Sequence, residues 1–220
     1  LGIGRRALID EWFKTWAPDA NYEVDDNLNI TVKENLYLNY ILIEELPDNL
    51  TIQGFLDLSN TPIKELPNNL TVEGYLDLSN SQIEKLPKGL IIRKSLYLKN
   101  TPIRELPDDI FIGKSINLDG SKIEKLPDNL IVNGFLDLNN TPIKELPKNL
   151  TVNEYLYLDN TPIEKLPENL TVKKNLYLNN TIKELPKNLT VYGDLYIKGT
   201  NIEEIPKSVK IHGKIYRIWN

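Results

Sequence analysis

Cysteine is absent from this 220-residue sequence, and histidine occurs once, as His212. Without cysteine the chain can form no disulfide, no thiolate metal site and no cysteine nucleophile, which fits a reducing compartment. The sequence also has no phosphate-binding loop, no Gly-x-Ser-x-Gly motif and no cluster of metal-ligating residues. We therefore predict no catalytic residues, no metal and no cofactor.

Long apolar runs and concentrated basic segments are also missing. No stretch approaches the roughly 20 apolar residues that a membrane-spanning helix needs, so we expect no membrane partner. The first residues do not show the pattern of a signal peptide. The net charge is −5, whereas binding to phosphates requires a concentrated basic face. Nucleic acid is therefore not an expected partner.

A repeat of 20 residues fills the sequence from residue 26 onward. Residues 46–65 read LPDNLTIQGFLDLSNTPIKE, and residues 126–145 read LPDNLIVNGFLDLNNTPIKE. One repeat lacks the proline expected between Thr181 and Ile182, and the last stops four residues short at Asn220. The repeats begin at Asp26, Leu46, Leu66, Leu86, Leu106, Leu126, Leu146, Leu166, Leu185 and Ile205.

Apolar residues recur at positions 1, 5, 7, 11, 13 and 18 of each repeat. Positions 11 to 13 alternate between apolar and polar residues, as in a strand with one buried face. Proline follows position 1 and often fills position 17, which excludes a long helix. Each repeat is therefore predicted to be a short strand with an extended or 3₁₀-like return. Stacked repeats would bury six apolar side chains each, at roughly 1.5–3 kcal/mol per side chain.

The pattern L-x-L-x-x-[TS]-x-I-x-x-L-P, which runs from Leu56 to Pro67, resembles a short bacterial leucine-rich repeat. The resemblance covers roughly residues 26–220. It implies a horseshoe-shaped solenoid with a parallel β-sheet on its concave face and an extended or 3₁₀ convex side. The resemblance also suggests either a cytoplasmic protein or one exported as a bacterial effector.

Two features depart from the usual leucine-rich repeat. Valine or isoleucine at position 7, often with glycine at position 9, replaces the first leucine, and this variant is similar to uncharacterised repeat proteins of tailed phages and their hosts. Hydroxyl residues replace the usual inward asparagine, and we expect them to satisfy buried backbone groups between repeats. These residues are Thr61, Ser81, Thr101, Ser121, Thr141, Thr161, Thr181 and Thr200.

The ends of the solenoid need covers, because stacked repeats expose their core there. Leu8, Trp12, Phe13 and Trp16 lie at helical spacing before Pro18, which predicts a capping helix. We therefore divide the chain into an N-terminal cap, residues 1–25, and a solenoid of about ten repeats, residues 26–220. At the other end, Ile218 and Trp219 either form a second cap or lead into further chain.

Charged residues at positions 19 and 20 alternate in sign along the repeats. Because neighbouring strands lie about 5 Å apart, this predicts a checkerboard of exposed ion pairs that sets the register, each contributing about 0.2–1 kcal/mol. At position 19 the residues are Glu44, Lys64, Glu84, Arg104, Glu124, Lys144, Glu164, Lys183 and Glu203.

The recurring Asn-Leu-Thr segments are interpreted as turns rather than glycosylation sites.

Positions 10 and 12 are predicted to point out of the sheet on one shared face, where eight of the eleven tyrosines fall. Aromatic residues are typical of binding hot spots, but stacked rings also stabilise parallel strands without any partner. If the face binds, the rings and aspartates favour a protein or peptide bearing some basic residues, and the tyrosines also suit a carbohydrate. The candidate binding residues are Tyr37, Phe55, Asp57, Tyr75, Asp77, Tyr97, Phe135, Asp137, Tyr155, Tyr157, Tyr177, Tyr196 and Tyr216.

Asp57 and Asp77 should lie near the roughly 5–5.5 Å spacing of a retaining glycosidase pair. Any 20-residue repeat produces that spacing, however, so we do not interpret the pair as catalytic. The leading hypothesis is a non-catalytic protein-binding scaffold. The alternatives are the recognition domain of a secreted bacterial effector, whose catalytic domain would have to follow Asn220, and a structural phage or surface component.

Overall fold

The computed structural model describes residues 2–217, which contain one helix and 21 short β-strands. In chain order these elements are α1 (Gly2–Trp16), β1 (Tyr22–Val24), β2 (Ile30–Val32), β3 (Leu36–Tyr37), β4 (Leu50–Ile52), β5 (Leu56–Asp57), β6 (Thr71–Val72), β7 (Leu76–Asp77), β8 (Ile91–Ile92), β9 (Leu96–Tyr97), β10 (Phe111–Ile112), β11 (Ile116–Asn117), β12 (Ile131–Val132), β13 (Leu136–Asp137), β14 (Thr151–Val152), β15 (Leu156–Tyr157), β16 (Thr171–Val172), β17 (Leu176–Tyr177), β18 (Thr190–Val191), β19 (Leu195–Tyr196), β20 (Lys210–Ile211) and β21 (Ile215–Tyr216).

The predicted parallel sheet is confirmed, with one strand from each repeat. The odd-numbered strands from β3 to β21 form a ten-stranded sheet in sequence order. Each strand pairs in parallel with the strand one repeat away, as Leu56 does with Leu76. The register holds across the shortened repeat, where Leu176 pairs with Leu195. The chain is therefore a parallel β-solenoid with the 20-residue leucine-rich-repeat spacing.

A second ladder of strands runs along the return side and was not predicted. Residues at positions 6 and 7 pair in parallel, for example Thr51 with Thr71 and Ile52 with Val72. These strands form a six-stranded sheet from β1 to β10 and a five-stranded sheet from β12 to β20. Within the described residues the return side is thus extended, with no 3₁₀ helix. Positions 5 to 7 do alternate between apolar and polar residues, as in Leu50, Thr51 and Ile52, and this signal could have predicted the second ladder.

The core consists of the six apolar positions, as predicted. Leu56, Leu58 and Ile63 are fully buried, and most other repeats bury the equivalent side chains. The apolar positions are less buried in two places, at the interruption of the second ladder between β10 and β12 and in the last repeat. Ile112 and Leu130 are partly buried at the interruption, and in the last repeat Val209 and Ile211 are partly buried and Ile215 is 40% exposed.

The predicted bonding of the hydroxyl residues between repeats is wrong for most of them and is confirmed for Thr181, whose hydroxyl donates to the carbonyl oxygen of Ile163 in the preceding repeat. The hydroxyl of Thr61 donates to the carbonyl oxygen of Leu58, three residues earlier in the same repeat, at 2.7 Å. Thr101, Thr141 and Thr161 donate in the same way to the residue three positions earlier. In these regular repeats the hydroxyl lies within reach of a carbonyl oxygen of its own turn and bonds there.

The shortened repeat rearranges this pattern. Thr181 is exposed rather than turned inward, and Asn179 is fully buried instead. The Asn179 Nδ2 donates to the carbonyl oxygens of Thr161, at 3.0 Å, and Ile163, at 2.7 Å. Its Oδ1 has no protein partner. The shortened repeat therefore bonds to the preceding one through the buried Asn179 amide and also through the Thr181 hydroxyl, which donates to the carbonyl oxygen of Ile163.

Helix α1 packs on the core, as predicted for a cap. Phe13 is buried, and Trp12 and Trp16 are partly buried against the core. The ring of Phe13 stacks on Tyr22 of β1 at 3.8 Å, and β1 pairs antiparallel with β2. The prediction for Leu8 is wrong, since its side chain is 71% exposed.

The C-terminal cap proposed at positions 218 and 219 lies outside the described residues. In residues 2–217, no helix has both the length and the apolarity that crossing a bilayer would require.

The Asn-Leu-Thr asparagines lie in turns, as predicted. Asn49 and Asn69 have φ values of 60°, in the left-handed region that asparagine tolerates. Their amides also bond across repeats, Asn69 Nδ2 to Asn49 Oδ1 at 2.9 Å.

The charge checkerboard is realised only in part. Among the predicted pairs in residues 2–217, the ion pairs within 4.0 Å are Lys85–Glu65, at 3.8 Å, and Arg104–Glu124, at 3.9 Å.

Candidate binding face

Positions 10 and 12 lie in and beside the ten-stranded sheet, with side chains opposite the core. Leu56 and Leu58 are buried while the intervening Asp57 is not, and this alternation repeats along the sheet. Among the 13 candidate residues, Tyr37 is exposed and the others are partly buried. We call the surface formed by these 13 residues the aromatic face.

The rings of the aromatic face form two clusters rather than one continuous column. The N-terminal cluster contains Tyr37, Phe55, Tyr75 and Tyr97. Phe55 stacks on Tyr75 with centroids 4.4 Å apart, Tyr37 meets Phe55 edge-on at 4.8 Å, and Tyr97 meets Tyr75 edge-on at 5.7 Å. The cluster therefore combines rings from both positions, with Tyr37 and Tyr97 at position 12 on either side of Phe55 and Tyr75 at position 10.

The C-terminal cluster is larger and flatter, and contains Phe135, Tyr155, Tyr157, Tyr177, Tyr196 and Tyr216. Four of its tyrosines stack almost in parallel in consecutive repeats, with centroids 4.9, 4.5 and 4.6 Å apart. Phe135 meets Tyr157 edge-on at 6.5 Å, and Tyr155 lies 6.2 Å from Tyr157. The Lys174 ammonium lies 5.4 Å from the centre of the Tyr155 ring, a cation–π contact that sequence reasoning missed.

The repeat between the clusters has no ring on this face. Its residues at positions 10 and 12 are Ser115 and Asn117, and Ser115 is buried. Tyr97 and Asp137 lie on either side of Asn117 in the sheet. Two strand spacings, roughly 10 Å, therefore separate the repeats that bound this gap. A ligand contacting both clusters would have to cross a polar strip.

Polar side chains at position 10 accept hydrogen bonds from backbone N–H groups of the next repeat. The N–H of Phe55 donates to Asn35 Oδ1 at 2.9 Å, and the N–H of Phe135 donates to Ser115 Oγ at 3.0 Å. Asn175 accepts the N–H of Asp194 in the same way. An aromatic ring at this position cannot accept such a bond. The rings at Phe55, Tyr75, Phe135 and Tyr155 therefore each replace an interaction that stabilises the stack.

The aspartates at position 12 also bond to their own chain. The Oδ1 of Asp57 accepts from the backbone N–H of Ser59 at 3.0 Å, and that of Asp77 accepts from Ser79 at 2.9 Å. Burial raises the pKa of Asp137, against the opposing effect of the Asn139 backbone N–H that its carboxylate accepts. The aspartates thus cap the turns that follow their strands. Because these carboxylates already accept backbone hydrogen bonds, Asp57 and Asp77 are less suited to form a separate acidic site for a partner.

The hydroxyls of Tyr75 and Tyr157 remain protonated at neutral pH. Burial, and then the neighbouring Asp57 carboxylate, raise the pKa of Tyr75. Burial and the adjacent Tyr177 raise the pKa of Tyr157. The hydroxyls can therefore act as hydrogen-bond donors and acceptors beside apolar ring faces.

The remaining chemistry is sparse. Within residues 2–217, no group of three or more His, Cys, Asp or Glu side chains is placed to hold a metal ion. The ring of His212 stacks on Tyr192 at 4.7 Å, away from the aromatic face. The face offers flat aromatic area with hydroxyl groups.

Because its 20-residue repeats stack in parallel around buried leucines, this chain belongs to the class of parallel β-solenoids. No family model and no curated protein matches the sequence. Among solved structures, the chain is similar to YopM, a leucine-rich effector protein from Yersinia pestis, at 18% sequence identity and a TM-score of 0.42. The similarity covers 81% of this chain and 71% of that chain.

Proposed function

We propose that this chain is a non-catalytic scaffold that binds a protein or peptide on its aromatic face. The observation that carries the proposal is the use of aromatic rings at position 10. Where that position is polar, as in Ser115, its side chain accepts a backbone hydrogen bond from the next repeat. Replacing that acceptor by a ring sacrifices about 0.5–1.5 kcal/mol for each bond. A local arrangement that sacrifices stability is typical of a functional surface.

The geometry of the C-terminal cluster supports the same proposal. Parallel stacking of Tyr157, Tyr177 and Tyr196 holds the rings in one orientation, so little side-chain entropy is lost when a partner covers them. The rings remain partly exposed. A partner's apolar and aromatic side chains would pack on the rings while its backbone bonds to the hydroxyls.

A binding experiment with a matched control tests the proposal. Peptides are selected from a random displayed library on the wild-type protein and are then measured against two triple variants by fluorescence anisotropy. The first variant is Tyr157→Ala/Tyr177→Ala/Tyr196→Ala. The control removes three exposed apolar side chains outside the aromatic face, namely Phe111→Ala/Ile131→Ala/Tyr192→Ala.

We expect the tyrosine variant to lose the selected peptides and the control to keep them, with both proteins retaining the wild-type circular dichroism spectrum. Equal binding by all three proteins would refute the proposal. The competing interpretation, that the rings only stabilise the stack, predicts a different result. In that case the tyrosine variant would lose about 0.5–1.5 kcal/mol of stability per stacked pair. It would still bind the selected peptides as tightly as the wild-type protein does.

A further inference from the structure

A groove of about 960 Å³ lies between helix α1 and the first repeats, away from the aromatic face. Trp12 and Trp16 line it from the helix, and Leu42, Pro62 and Pro67 line it from the solenoid. The indole Nε1 of Trp12 donates to the carbonyl oxygen of Glu45, a groove residue, at 3.0 Å. This bond ties the helix to the first repeat and fixes one wall of the groove.

The repeat pattern changes where it borders the groove. Position 17 is proline or a polar residue elsewhere, whereas in the first repeat it is Leu42, which is 81% exposed. Position 15 is asparagine or glycine in the next eight repeats, whereas in the first repeat it is Tyr40. Tyr40 is exposed and holds a φ of 61°, which disfavours a bulky side chain, but it does not line the groove. Leu42 therefore places apolar surface at the groove without adding to the core.

The charge pattern changes at the same place. In the middle repeats, position 20 alternates in sign, but Glu45 and Glu65 are both acidic on neighbouring repeats. The Lys85 ammonium contacts Glu65 from outside the groove at 3.8 Å. With five carboxylates against the ammonium of Lys64, the groove lining carries a formal charge of −4. The carboxylates belong to Glu44, Glu45, Asp48, Glu65 and Glu84.

We propose that this groove binds a basic peptide segment, with arginine or lysine side chains laid between the indoles and the acidic rim. A guanidinium or ammonium group is attracted to the face of a tryptophan ring and to carboxylates. The aliphatic part of the same side chain covers apolar surface such as Leu42 and Pro62. A basic segment would also relieve the repulsion between Glu45 and Glu65. The site is separate from the aromatic face and does not depend on it.

Tryptophan fluorescence reports directly on this groove. Of the three tryptophans, two line the groove, so the Trp219→Phe protein carries only the reporting indoles. This protein is titrated with a hexaarginine peptide, and with hexaglutamate as the opposite-charge control. The groove variant is Glu44→Gln/Glu45→Gln/Glu65→Gln. The matched control, Glu145→Gln/Glu164→Gln/Glu184→Gln, removes the same charge from the equivalent repeat positions outside the groove.

We expect saturable binding of hexaarginine and no response to hexaglutamate. The groove variant should bind at least about tenfold more weakly, because three charged partners are lost, while the matched control changes little. As a second variant, Lys64→Gln removes the cation of the groove and should tighten binding, whereas Lys144→Gln should not.

Equal weakening by both triple variants would show nonspecific attraction to an acidic protein and overturn the proposal, as would the absence of any response to hexaarginine. The tyrosine variant of the aromatic face should titrate like the wild-type protein. Loss of hexaarginine binding at the groove can then be distinguished from loss of partner binding on the aromatic face.

Discussion

Replacing Asn179 with alanine is expected to destabilise the protein far more than the same change at its neighbour Asn180. Asn179 is fully buried and donates to the carbonyl oxygens of Thr161 and Ile163, whereas Asn180 is exposed. Two lost hydrogen bonds are worth about 1–3 kcal/mol in total. The substitution also removes the buried, unpartnered Oδ1 and with it the cost of keeping that atom away from water. We therefore expect a net loss of about 1–2 kcal/mol in the free energy of unfolding.

The missing proline supplies the control for this prediction. Inserting proline between Thr181 and Ile182 makes the segment from Leu178 read LNNTPIKEL, identical to residues 138–146. In that regular repeat, Asn139 is only partly buried, and the Thr141 hydroxyl donates to Leu138. The insertion should therefore return Asn179 to the surface. In the insertion protein, Asn179→Ala should cost less than about 1 kcal/mol, as most surface substitutions do.

Urea denaturation followed by circular dichroism gives the free energies of unfolding for these proteins. Native-state hydrogen exchange shows whether the loss is confined to the shortened repeat, since a solenoid can open locally. The decisive quantity is the difference between the cost of Asn179→Ala with and without the inserted proline. If that difference is near zero, or if Asn180→Ala costs as much as Asn179→Ala, the deletion does not recruit this amide and the reasoning is wrong.

Two further predictions follow from close packing and from charge burial. Gly134→Ala should lower stability by roughly 1–3 kcal/mol, because a Cβ there would lie 2.0 Å from Ser115 Oγ. Gly4 lies in open space on helix α1, so Gly4→Ala should instead stabilise the protein in the same urea assay. Asp137→Asn should raise the urea midpoint at pH 7 and have little effect near pH 3. Burial raises the folded-state pKa of this carboxyl above the unfolded value near 3.8, so stability from the protonated form is lost as pH rises through that range. Asn117 shows that the amide preserves the turn bond, which runs from the Asp119 N–H to Asn117 Oδ1 at 3.0 Å; a midpoint difference independent of pH would contradict the assignment.

Most of the fold could be predicted from the repeat. The six apolar positions, the parallel sheet and the register follow from a fixed period and the alternation around Leu56 and Leu58. The second ladder was missed, although Leu50, Thr51 and Ile52 alternate as the residues around Leu56 and Leu58 do. The bonding of the hydroxyl residues was wrong for the regular repeats, because polarity alone does not decide which carbonyl oxygen lies within reach. Thr61 bonds within its own repeat, whereas Thr181, in the shortened repeat, bonds to the preceding one.

The candidate site was predicted at the level of composition only. Sequence reasoning placed eight tyrosines on one face but did not predict which rings contact one another. Their division into two clusters depends on ring orientations, and on the polar residues Ser115 and Asn117 in the repeat between them. The roles of Asp57 and Asp77 as turn caps were also missed, although an aspartate two residues before a serine is a common signal for such a bond.

The sequence by itself determined the solenoid, because burial in a stack of identical repeats depends only on which positions recur. It could not determine contacts that depend on distances between repeats or on how the ends dock. The inward turn of Asn179 arises from a chain one residue too short to follow its neighbours, and the acidic groove exists only because helix α1 lies against the first repeats. Both depend on the packing of segments whose relative placement no local pattern encodes.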